Sequence, residues 1–559
     1  MAVCAGSVER DLIQLYEACT SRRLVDAAKW SSEMLFHLTP DASTSAEPGA
    51  ILPLPDDDED VPPEPLKTLR FVHSCMDCKE FKRAAFHSTN AHTPVLRFLH
   101  YYARYLYGEQ EMLDNMADVF DTSLQFKNEE ITSLYEDLSR MQEKETLDPY
   151  LRYLFGLVLV EKRLESKALD CFVACIRALP AFWPAWLELS KLVESMQQLN
   201  RLALPDGWMK SLMLGEVYVR LQKHSEALQL YEELRETAGF RNAPYITAKI
   251  ATIHHSAQDL ESALSVFQEL HEQDPYRLEH MDVYSNTLFV KDMRMELIKL
   301  AHHCYKVSKF SPETCGVVGN YYTIRGDHER AVLYFQRALK LDPVNVGVWI
   351  LMGHAFMELK NTSAASLAYR NALDKDPKDF RAWYSLGQLY DILKMPAYAT
   401  YYYNMAHKAR PQDSRMLIAL GDMLEQQKRT TDAKKAYWKA HCVGDIEGLA
   451  IVKLAKLFEK DDTSDSDEAA ALYRMFLQQL EQQNLTDPEN EPLCYKFLAD
   501  YCLKQNKLEQ ARDYAQYCIE YPETREHGKG ILKSVAERQQ EAETEANVSN
   551  SASSSKEKT

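Results

Sequence analysis

Positive charge is scarce in this 559-residue sequence, which has 65 Lys and Arg against 83 Asp and Glu and a formal net charge of -18. A protein that binds the nucleic-acid backbone needs a surplus of cations to displace the counterions of the phosphates. Generic nucleic-acid binding is therefore a poor expectation. A negative surface favours basic partner segments instead.

The sequence also lacks a long apolar run and a secretory leader. No apolar stretch is long enough to cross a bilayer, and the opening residues MAVCAGSVERDL have no basic region followed by an apolar one. We therefore expect no membrane association and a location in the nucleus and cytoplasm. The 12 Cys have no framework spacing, and a reducing compartment favours free thiols that serve as small core residues.

Recognisable catalytic motifs are missing as well. There is no phosphate-cradling loop ending in Gly-Lys-Ser/Thr, no nucleophile elbow and no kinase motif set. The CMDC segment from Cys75 to Cys78, with His73, His87 and His92 nearby, resembles a metal site but lacks the second tight ligand pair that structural zinc prefers. We therefore predict a protein that is not an enzyme and that has no catalytic residues, no metal and no cofactor.

What the sequence does contain is an internal repeat. Three consecutive 34-residue segments, which begin at Pro312, Val346 and Phe380, align without a gap. The period and the residue pattern match the tetratricopeptide repeat, a unit of two antiparallel helices. Large side chains fill the space between the helices, while Gly or Ala at positions 8 and 20 lets the backbones approach closely. The small residues at position 8 are Gly319, Gly353, Gly387 and Gly421, and the aromatic residues at position 24 are Phe335, Tyr369, Tyr403 and Tyr437.

The same frame extends in both directions. Further units begin at Pro149, Trp208, Pro244, Leu278, Ser414 and Gly448, and a unit around Trp186 has a degenerate second helix. Each unit leaves an apolar face that a neighbour must cover, so the units stack. The sequence therefore predicts an all-α tetratricopeptide-repeat superhelical solenoid.

Five regions follow from this frame. Residues 1–148 are predicted to form divergent N-terminal helical repeats, interrupted by a flexible acidic and Pro-rich loop at 40–65 that cannot bury enough apolar surface to fold. Residues 149–311 are partly degenerate repeats, and 312–447 are regular repeats that form a peptide groove. Residues 448–530 are C-terminal repeats with an acidic insertion at 461–468, and 531–559 form a disordered tail.

A peptide groove is expected because the first helices of stacked repeats line a concave surface. Positions 2, 5, 9, 12 and 13 of each unit would meet the peptide, and here they are acidic and amide-rich with an aromatic wall. Such groups suit the planar fork of an Arg side chain, although a solvated polar face is the alternative. The predicted groove residues are Asp282, Asn286, Asn320, Thr323, His354, Glu358, Tyr384, Gln388, Asp391, Asp422 and Glu425.

Longer stretches carry a more specific resemblance. The segments NYYTIRGDHERAVLYFQRALKLDP, LMGHAFMELKNTSAASLAYRNAL and VGDIEGLAIVKLAKLFE are similar to those of the cell division cycle protein 23 family, the eighth subunit of the anaphase-promoting complex/cyclosome. The resemblance spans most of Arg10 to Tyr521. It implies a non-catalytic scaffold subunit of a multi-subunit RING-type E3 ubiquitin ligase of the cell cycle.

The resemblance also implies partners. Family members homodimerise through their N-terminal repeats, associate with other subunits of the complex and receive the Arg-containing C-box segment of a coactivator. The alternative is a tetratricopeptide co-chaperone or other adaptor without a role in a ubiquitin ligase. A co-chaperone groove would hold a C-terminal carboxylate, which Asp282, Glu358, Asp391 and Asp422 would repel.

Overall fold

The computed structural model describes residues 5–38, 63–89, 93–115, 120, 128–144, 146–237, 240–445, 448–460, 466–483 and 487–554, and within these ranges it is helical with no strand. The helices group into two units, Met1–Leu359 and Lys360–Thr559. Among the described residues, no helix combines the length and apolar character that a membrane crossing requires.

Unit 1 consists of successive antiparallel helices. Its N-terminal part contains α1 (Ala5–Ser21), α2 (Val25–Phe36), α3 (Pro63–Asp77), α4 (Phe81–His87), α5 (Pro94–Asn115) and α6 (Glu130–Glu143). The repeats follow as α7 (Pro149–Glu161), α8 (Glu165–Ala178), α9 (Trp183–Leu192), α10 (Met196–Arg201), α11 (Trp208–Arg220), α12 (His224–Thr237), α13 (Pro244–Ala257), α14 (Leu260–Gln273), α15 (Met281–Val290), α16 (Arg294–Val307), α17 (Pro312–Ile324), α18 (His328–Leu341) and α19 (Val346–Glu358).

Unit 2 continues the alternation of first and second helices. It contains α20 (Thr362–Lys375), α21 (Phe380–Ile392), α22 (Pro396–Ala409), α23 (Ser414–Gln426), α24 (Thr430–Gly444), α25 (Leu449–Lys460), α26 (Ser466–Gln483), α27 (Glu491–Lys504), α28 (Leu508–Glu520) and α29 (Arg525–Ser554).

The helix starts confirm the repeat frame. First helices begin at the predicted residues Pro149, Trp208, Pro244, Pro312, Val346, Phe380 and Ser414. Local chemistry fixes several of these starts, because a side-chain oxygen of Ser311, Asn345, Asp379 or Asp413 accepts a backbone N–H of the first turn. The predicted degenerate second helix near Trp186 is also confirmed, since α10 is six residues long.

Small and aromatic positions build the core between paired helices. Ala331, Ala399 and Ala433 at position 20 are fully buried. A Cβ placed on Gly319 would lie 2.3 Å from the ring of Phe335, so the aromatic ring at position 24 occupies the space that a larger residue at position 8 would need. The requirement for Gly is therefore set by a partner 16 residues along the chain.

The turn inside each repeat has a backbone conformation that its residue types do not predict. Position 15 adopts positive φ in successive units, at Gly326 (77°), Lys360 (57°), Lys394 (58°) and Lys428 (61°). Gly takes this conformation readily, whereas Lys does not, so the packing of the paired helices imposes it.

Two predicted irregular regions lie largely outside the described residues. Positions 40–62 of the Pro-rich loop and 461–465 of the acidic insertion are not described, while 63–65 begin α3 and 466–468 begin α26.

The C-terminal region differs from the prediction of a disordered tail from residue 531, because α29 continues to Ser554. Ile531 and Val535, four residues apart, are buried against the last repeats, which is enough to dock one helical face in a Glu/Gln-rich sequence.

The N-terminal helix pair packs against repeats far along the chain. Trp30 of α2 stacks on Trp183 at a centroid distance of 5.1 Å and on Trp208 at 6.5 Å, and it meets Tyr245 edge-on at 5.8 Å. The Nε1–H of Trp208 donates to Asp11 of α1 at 3.2 Å. Ion pairs from Lys29 to Glu279 and from Glu33 to Arg277 extend this contact to the turn before α15. The pair thus covers the first helices α9, α11 and α13 of unit 1.

Candidate peptide-binding face

The first-helix face of unit 1 holds six of the predicted groove residues, and hydrogen bonds between repeats already engage two of them. Asn320 of α17 is 1% exposed, and its Nδ2 donates to Ser285 Oγ at 2.8 Å and to Asn286 Oδ1 at 2.6 Å. The amides of Asn320 and Asn286 therefore join neighbouring repeats. In this conformation the side chain of Asn320 is buried between repeats.

Two further residues of this face are partly engaged. The Oγ1–H of Thr323 donates to the carbonyl oxygen of Gly319 at 3.0 Å. Burial raises the pKa of Asp282, and hydrogen bonds from the backbone and from Asn345 oppose that shift. Asp282 is thus a shielded carboxylate rather than an open one.

His354 and Glu358, one helical turn apart on α19, are exposed. Although solvent reaches the side chain of His354, the surrounding protein atoms desolvate its ring and lower its pKa, and the carboxylate of Glu358 opposes this shift. This pair is the part of the unit 1 face at which a carboxylate stays accessible.

The first-helix face of unit 2 begins with three predicted residues on α21. Tyr384 lies 5.5 Å from Tyr403, ring centroid to ring centroid, and it hydrogen-bonds Gln388. Burial raises the pKa of Tyr384, so its hydroxyl stays protonated at neutral pH. Asp391 accepts one long hydrogen bond, 3.4 Å, from Gln426 Nε2. These side chains form an aromatic and amide surface that ends in a carboxylate.

The two predicted acids of α23 are neutralised by lysines of α25. Lys453 Nζ lies 2.6 Å from Asp422 Oδ2, and Lys460 Nζ lies 2.6 Å from Glu425 Oε1. Tyr437 also donates its hydroxyl to Asp422 at 2.7 Å. Asp422 and Glu425 therefore bridge adjacent repeats, and the negative potential expected from them is reduced.

Lys453, Lys456 and Lys460 are charged residues near this face that the sequence analysis did not include. The frame that begins at Gly448 places Lys456 at position 9 and Lys460 at position 13, so reading the same positions one unit further would have found two of them. Lys456 Nζ lies 3.4 Å from Asn490 Oδ1. The first-helix face therefore becomes mixed in charge towards the C-terminus.

Unit 1 contains the same bridging arrangement in more buried form. Glu216, at position 9 of its repeat, pairs with Lys249 Nζ at 2.7 Å and accepts hydrogen bonds from the hydroxyls of Tyr231 at 3.1 Å and Tyr245 at 3.2 Å. Burial would raise the pKa of Glu216, but Lys249 and the two tyrosines bring it below its usual value. An acid at position 9 can thus hold repeats together instead of binding a ligand.

The CMDC segment takes a packing role in the N-terminal helices. Cys75 is 3% exposed within a cluster that includes Val72 and Leu99, whereas Cys78 is exposed. The Nε2–H of His73 donates to the carbonyl oxygen of Ser21 at 3.0 Å, and His92 lies outside the described residues. In the described part of the chain, no group of three or more His, Cys, Asp or Glu side chains is placed to hold a metal ion.

Paired helices in a 34-residue frame, with bridging residues on the first-helix face, define a tetratricopeptide-repeat protein. Residues 322–390 match a tetratricopeptide-repeat family model. Residues 7–251 match the family model "Anaphase promoting complex subunit 8 / Cdc23". The chain is 38% identical over 560 residues to the Cell division cycle protein 23 homolog of Caenorhabditis elegans, covering 94% of this chain and 82% of that protein. The chain belongs to the Cdc23, or anaphase-promoting complex subunit 8, family.

Other relatives match over shorter stretches. The Anaphase-promoting complex subunit 8 of Arabidopsis thaliana is 35% identical, covering 65% of this chain and 66% of that protein. The human Cell division cycle protein 23 homolog is 41% identical, covering 54% of this chain and 49% of its own length. A crystal structure of the "APC/C hetero-tetramer Cut9-Hcn1" shares the fold, with a TM-score of 0.50, 15% identity, and 85% of this chain and 96% of that chain covered. The all-α repeat fold is thereby confirmed.

Proposed function

We propose that this chain is a non-catalytic scaffold subunit of an anaphase-promoting complex, a multi-subunit RING-type E3 ubiquitin ligase of the cell cycle, and that it acts in the nucleus and cytoplasm. Family membership supports the assignment, since the matching family model and the relative from Arabidopsis thaliana carry the name of this complex. The repeat frame supports a binding role, because it accounts for the helices from α7 to α28 and uses its small and aromatic positions for packing.

The single observation that carries a binding role is the surface on α21. Tyr384 and Gln388 lie beside each other, and the hydrogen bond that Asp391 accepts from Gln426 is long, at 3.4 Å. An Arg side chain fits such a surface, because its guanidinium can pair with the carboxylate and stack on an aromatic ring. We infer that this surface receives the Arg of a coactivator segment, while Asp422 and Glu425 hold the repeats together.

Replacing Asp391 with Asn is expected to weaken binding of an Arg-containing peptide about tenfold, because a charge-assisted hydrogen bond contributes roughly 1.5–3 kcal/mol. Fluorescence anisotropy with a labelled peptide measures this loss, and the loss should shrink as salt rises. Asp374→Asn is the matched control: it makes the same change at an exposed acid of α20, and binding should be unchanged.

Peptide identity separates the scaffold from the co-chaperone alternative. An Arg-to-Ala change in the peptide should abolish binding, and a peptide with an acidic C-terminus and no Arg should not bind. Capture of the acidic tail, or equal binding by the Asp391→Asn protein, would contradict the proposed role of this surface.

We also propose that the chain homodimerises through its N-terminal helices. Phe36 at the end of α2 is 83% exposed, which suits an apolar contact with a second copy. Light scattering of the purified chain should give twice 64.4 kDa, and Phe36→Asp should shift the mass towards the monomer. Phe310, 81% exposed beyond α16, supplies the control Phe310→Asp.

Partners recovered with the tagged chain test the scaffold assignment as a whole. Mass spectrometry should identify subunits of a ubiquitin ligase in the recovered material. A monomeric chain recovered without such subunits would contradict both the dimer and the scaffold.

A further inference from the structure

Phe120 is an aromatic residue that lies outside the repeats but contacts one of them. It is located between α5, which ends at Asn115, and α6, which begins at Glu130. Its ring centroid is 6.0 Å from that of Trp349 and 6.0 Å from that of Phe356, both on α19. We call the surface formed by Trp349 and Phe356 the aromatic notch. One side chain thus joins the connection between α5 and α6 to a repeat more than 220 residues further along the chain.

Two other repeats show which side chain normally fills such a surface. In the repeat of α21 and α22, Tyr402 at position 23 lies 6.0 Å from Trp383 at position 4 and 5.1 Å from Tyr390 at position 11. In the repeat of α17 and α18, Tyr334 at position 23 stacks on Tyr322 at position 11, at 5.4 Å. Positions 4 and 11 share one face of the first helix, because seven residues make about two turns. The ring packed against that face therefore comes from position 23 of the same repeat.

The repeat between these two has no aromatic residue at that position. The frame that begins at Val346 places Trp349 and Phe356 at positions 4 and 11, and it places Ala368 at position 23. Phe120 supplies the aromatic contact to both positions from outside the repeat. The aromatic notch therefore accepts a ring that is not part of the repeat, and its present occupant shows which side chain fits.

The repeat itself holds the wall of the notch in place. The Nε1–H of Trp349 donates to the carbonyl oxygen of Pro343 at 3.1 Å, which orients the indole at the start of α19. Trp383 makes the equivalent bond to Pro377 at 2.8 Å in unit 2. Because this bond does not involve Phe120, removal of the Phe120 ring should leave a formed site.

The notch lies on the side of α19 away from the candidate peptide-binding face. Glu358 is nine residues from Trp349, which is two and a half helical turns and therefore the opposite side of the helix. Phe120 is half-buried, while Trp349 and Phe356 beneath it are 3% and 8% exposed. A ligand in the notch and a peptide at Glu358 would therefore bind to different surfaces.

We propose that the aromatic notch is a docking site for one aromatic side chain of a partner segment, and that Phe120 occupies it as an internal ligand. The partner segment binds by replacing Phe120, because the notch holds one ring. Edge-on and offset contacts between rings favour an aromatic side chain over an aliphatic one. This inference does not depend on the proposed binding of a coactivator Arg.

Phe120 sets the affinity that a partner must exceed. A ligand on the same chain competes with an effective concentration on the order of millimolar. A free peptide should therefore bind the wild-type chain at least about tenfold more weakly than a chain without the Phe120 ring. A natural partner must make further contacts beside the notch.

Fluorine NMR of a synthetic peptide tests the site, because line broadening of a fluorinated ring detects weak binding. The peptide has the sequence of residues 116–125, MADVFDTSLQ, with 4-fluorophenylalanine in place of its Phe. Titration should give a dissociation constant at least about tenfold lower for Phe120→Ala than for wild type. The unlabelled Phe peptide should compete, and the same peptide with Ala in place of Phe should not. Phe86→Ala is the matched control, since Phe86 of α4 is 75% exposed, and this variant should bind like wild type.

A photo-cross-link provides a second measurement that does not need the Phe120→Ala variant to fold. Replacing Phe120 with p-benzoylphenylalanine keeps an aromatic side chain at this position. Irradiation should join it to α19, and mass spectrometry should find the link on the fragment that contains Trp349 and Phe356. Excess Phe peptide should lower the yield of this link, and the Ala peptide should not.

The results that would overturn the docking site are specific. Equal affinity for wild type and Phe120→Ala, or competition by the Ala peptide, would mean that the peptide binds elsewhere. No binding to a folded Phe120→Ala chain would mean that Phe120 serves packing only. A cross-link to α19 whose yield the Phe peptide does not change would mean that a partner cannot replace Phe120.

Discussion

Replacing Lys249 with Met should lower the free energy of unfolding of unit 1 by about 3–5 kcal/mol, because it leaves the carboxylate of Glu216 buried without its counter-charge. Both side chains are largely removed from water, since Glu216 is 14% exposed and Lys249 is 19% exposed. Urea unfolding followed by tryptophan fluorescence measures the loss. The control Lys291→Met breaks an exposed pair with Glu261 and should cost less than about 1 kcal/mol.

The dependence on pH distinguishes a lost ion pair from lost packing. In wild type the pKa of Glu216 is lower in the folded protein than in the unfolded chain. The carboxylate therefore stabilises the fold fully at a pH above its unfolded-state pKa, and this stabilisation is lost as the pH falls through its folded-state pKa. Without Lys249, burial should raise the pKa of Glu216, and acid should then recover stability. Glu216→Gln combined with Lys249→Met should be more stable than Lys249→Met alone. A loss for Lys249→Met that is independent of pH would contradict this account.

Two glycines of α17 should respond to Ala in opposite directions. At Gly319 a Cβ would lie 2.3 Å from Phe335, so overpacking of about 1–3 kcal/mol should outweigh the helix-propensity gain of about 1 kcal/mol. At Gly316 the nearest atoms, in Asp282 and Val348, are 3.7 and 3.9 Å away, which is ordinary contact. Gly316→Ala should therefore be neutral or stabilising.

Thermal melts of the two variants provide the comparison. The melting temperature should fall for Gly319→Ala and stay equal or rise for Gly316→Ala. Because both changes are made in one helix, differences in the unfolded chain largely cancel. Equal shifts for both variants would mean that the ring of Phe335 moves aside without cost.

The helices of the regular repeats could be located from the sequence to the residue. Pro312, Val346 and Phe380 begin helices as expected, because caps, prolines and apolar spacing all act within one repeat. The candidate binding face was predicted less completely. The frame places its residues on the first helices, but a side chain at position 9 or 12 can point to a ligand or to the next repeat, and spacing does not distinguish these.

Neighbouring polar and charged side chains decide, residue by residue, whether a side chain of this face is open to a ligand or engaged by another repeat. Asp422 and Glu425 are paired because Lys453 and Lys460 project from the following first helix. The amide of Asn320 is buried, and it donates hydrogen bonds to Ser285 and Asn286 of the preceding first helix. Asp379 and Asp413 are buried at the starts of α21 and α23, where each accepts a backbone N–H. Each result depends on a distance between side chains that a linear pattern does not contain.

The sequence by itself therefore determined the class of fold and the repeat frame, because these follow from periodicities within 34 residues. The tertiary structure alone decided where the N-terminal helices pack, since Trp30 meets Trp183 and Trp208 across more than 150 residues of chain. It also decided which charges on the first-helix face remain accessible. Both depend on which side chains the stacked helices bring within a few ångströms, a property of packing rather than of spacing along the chain.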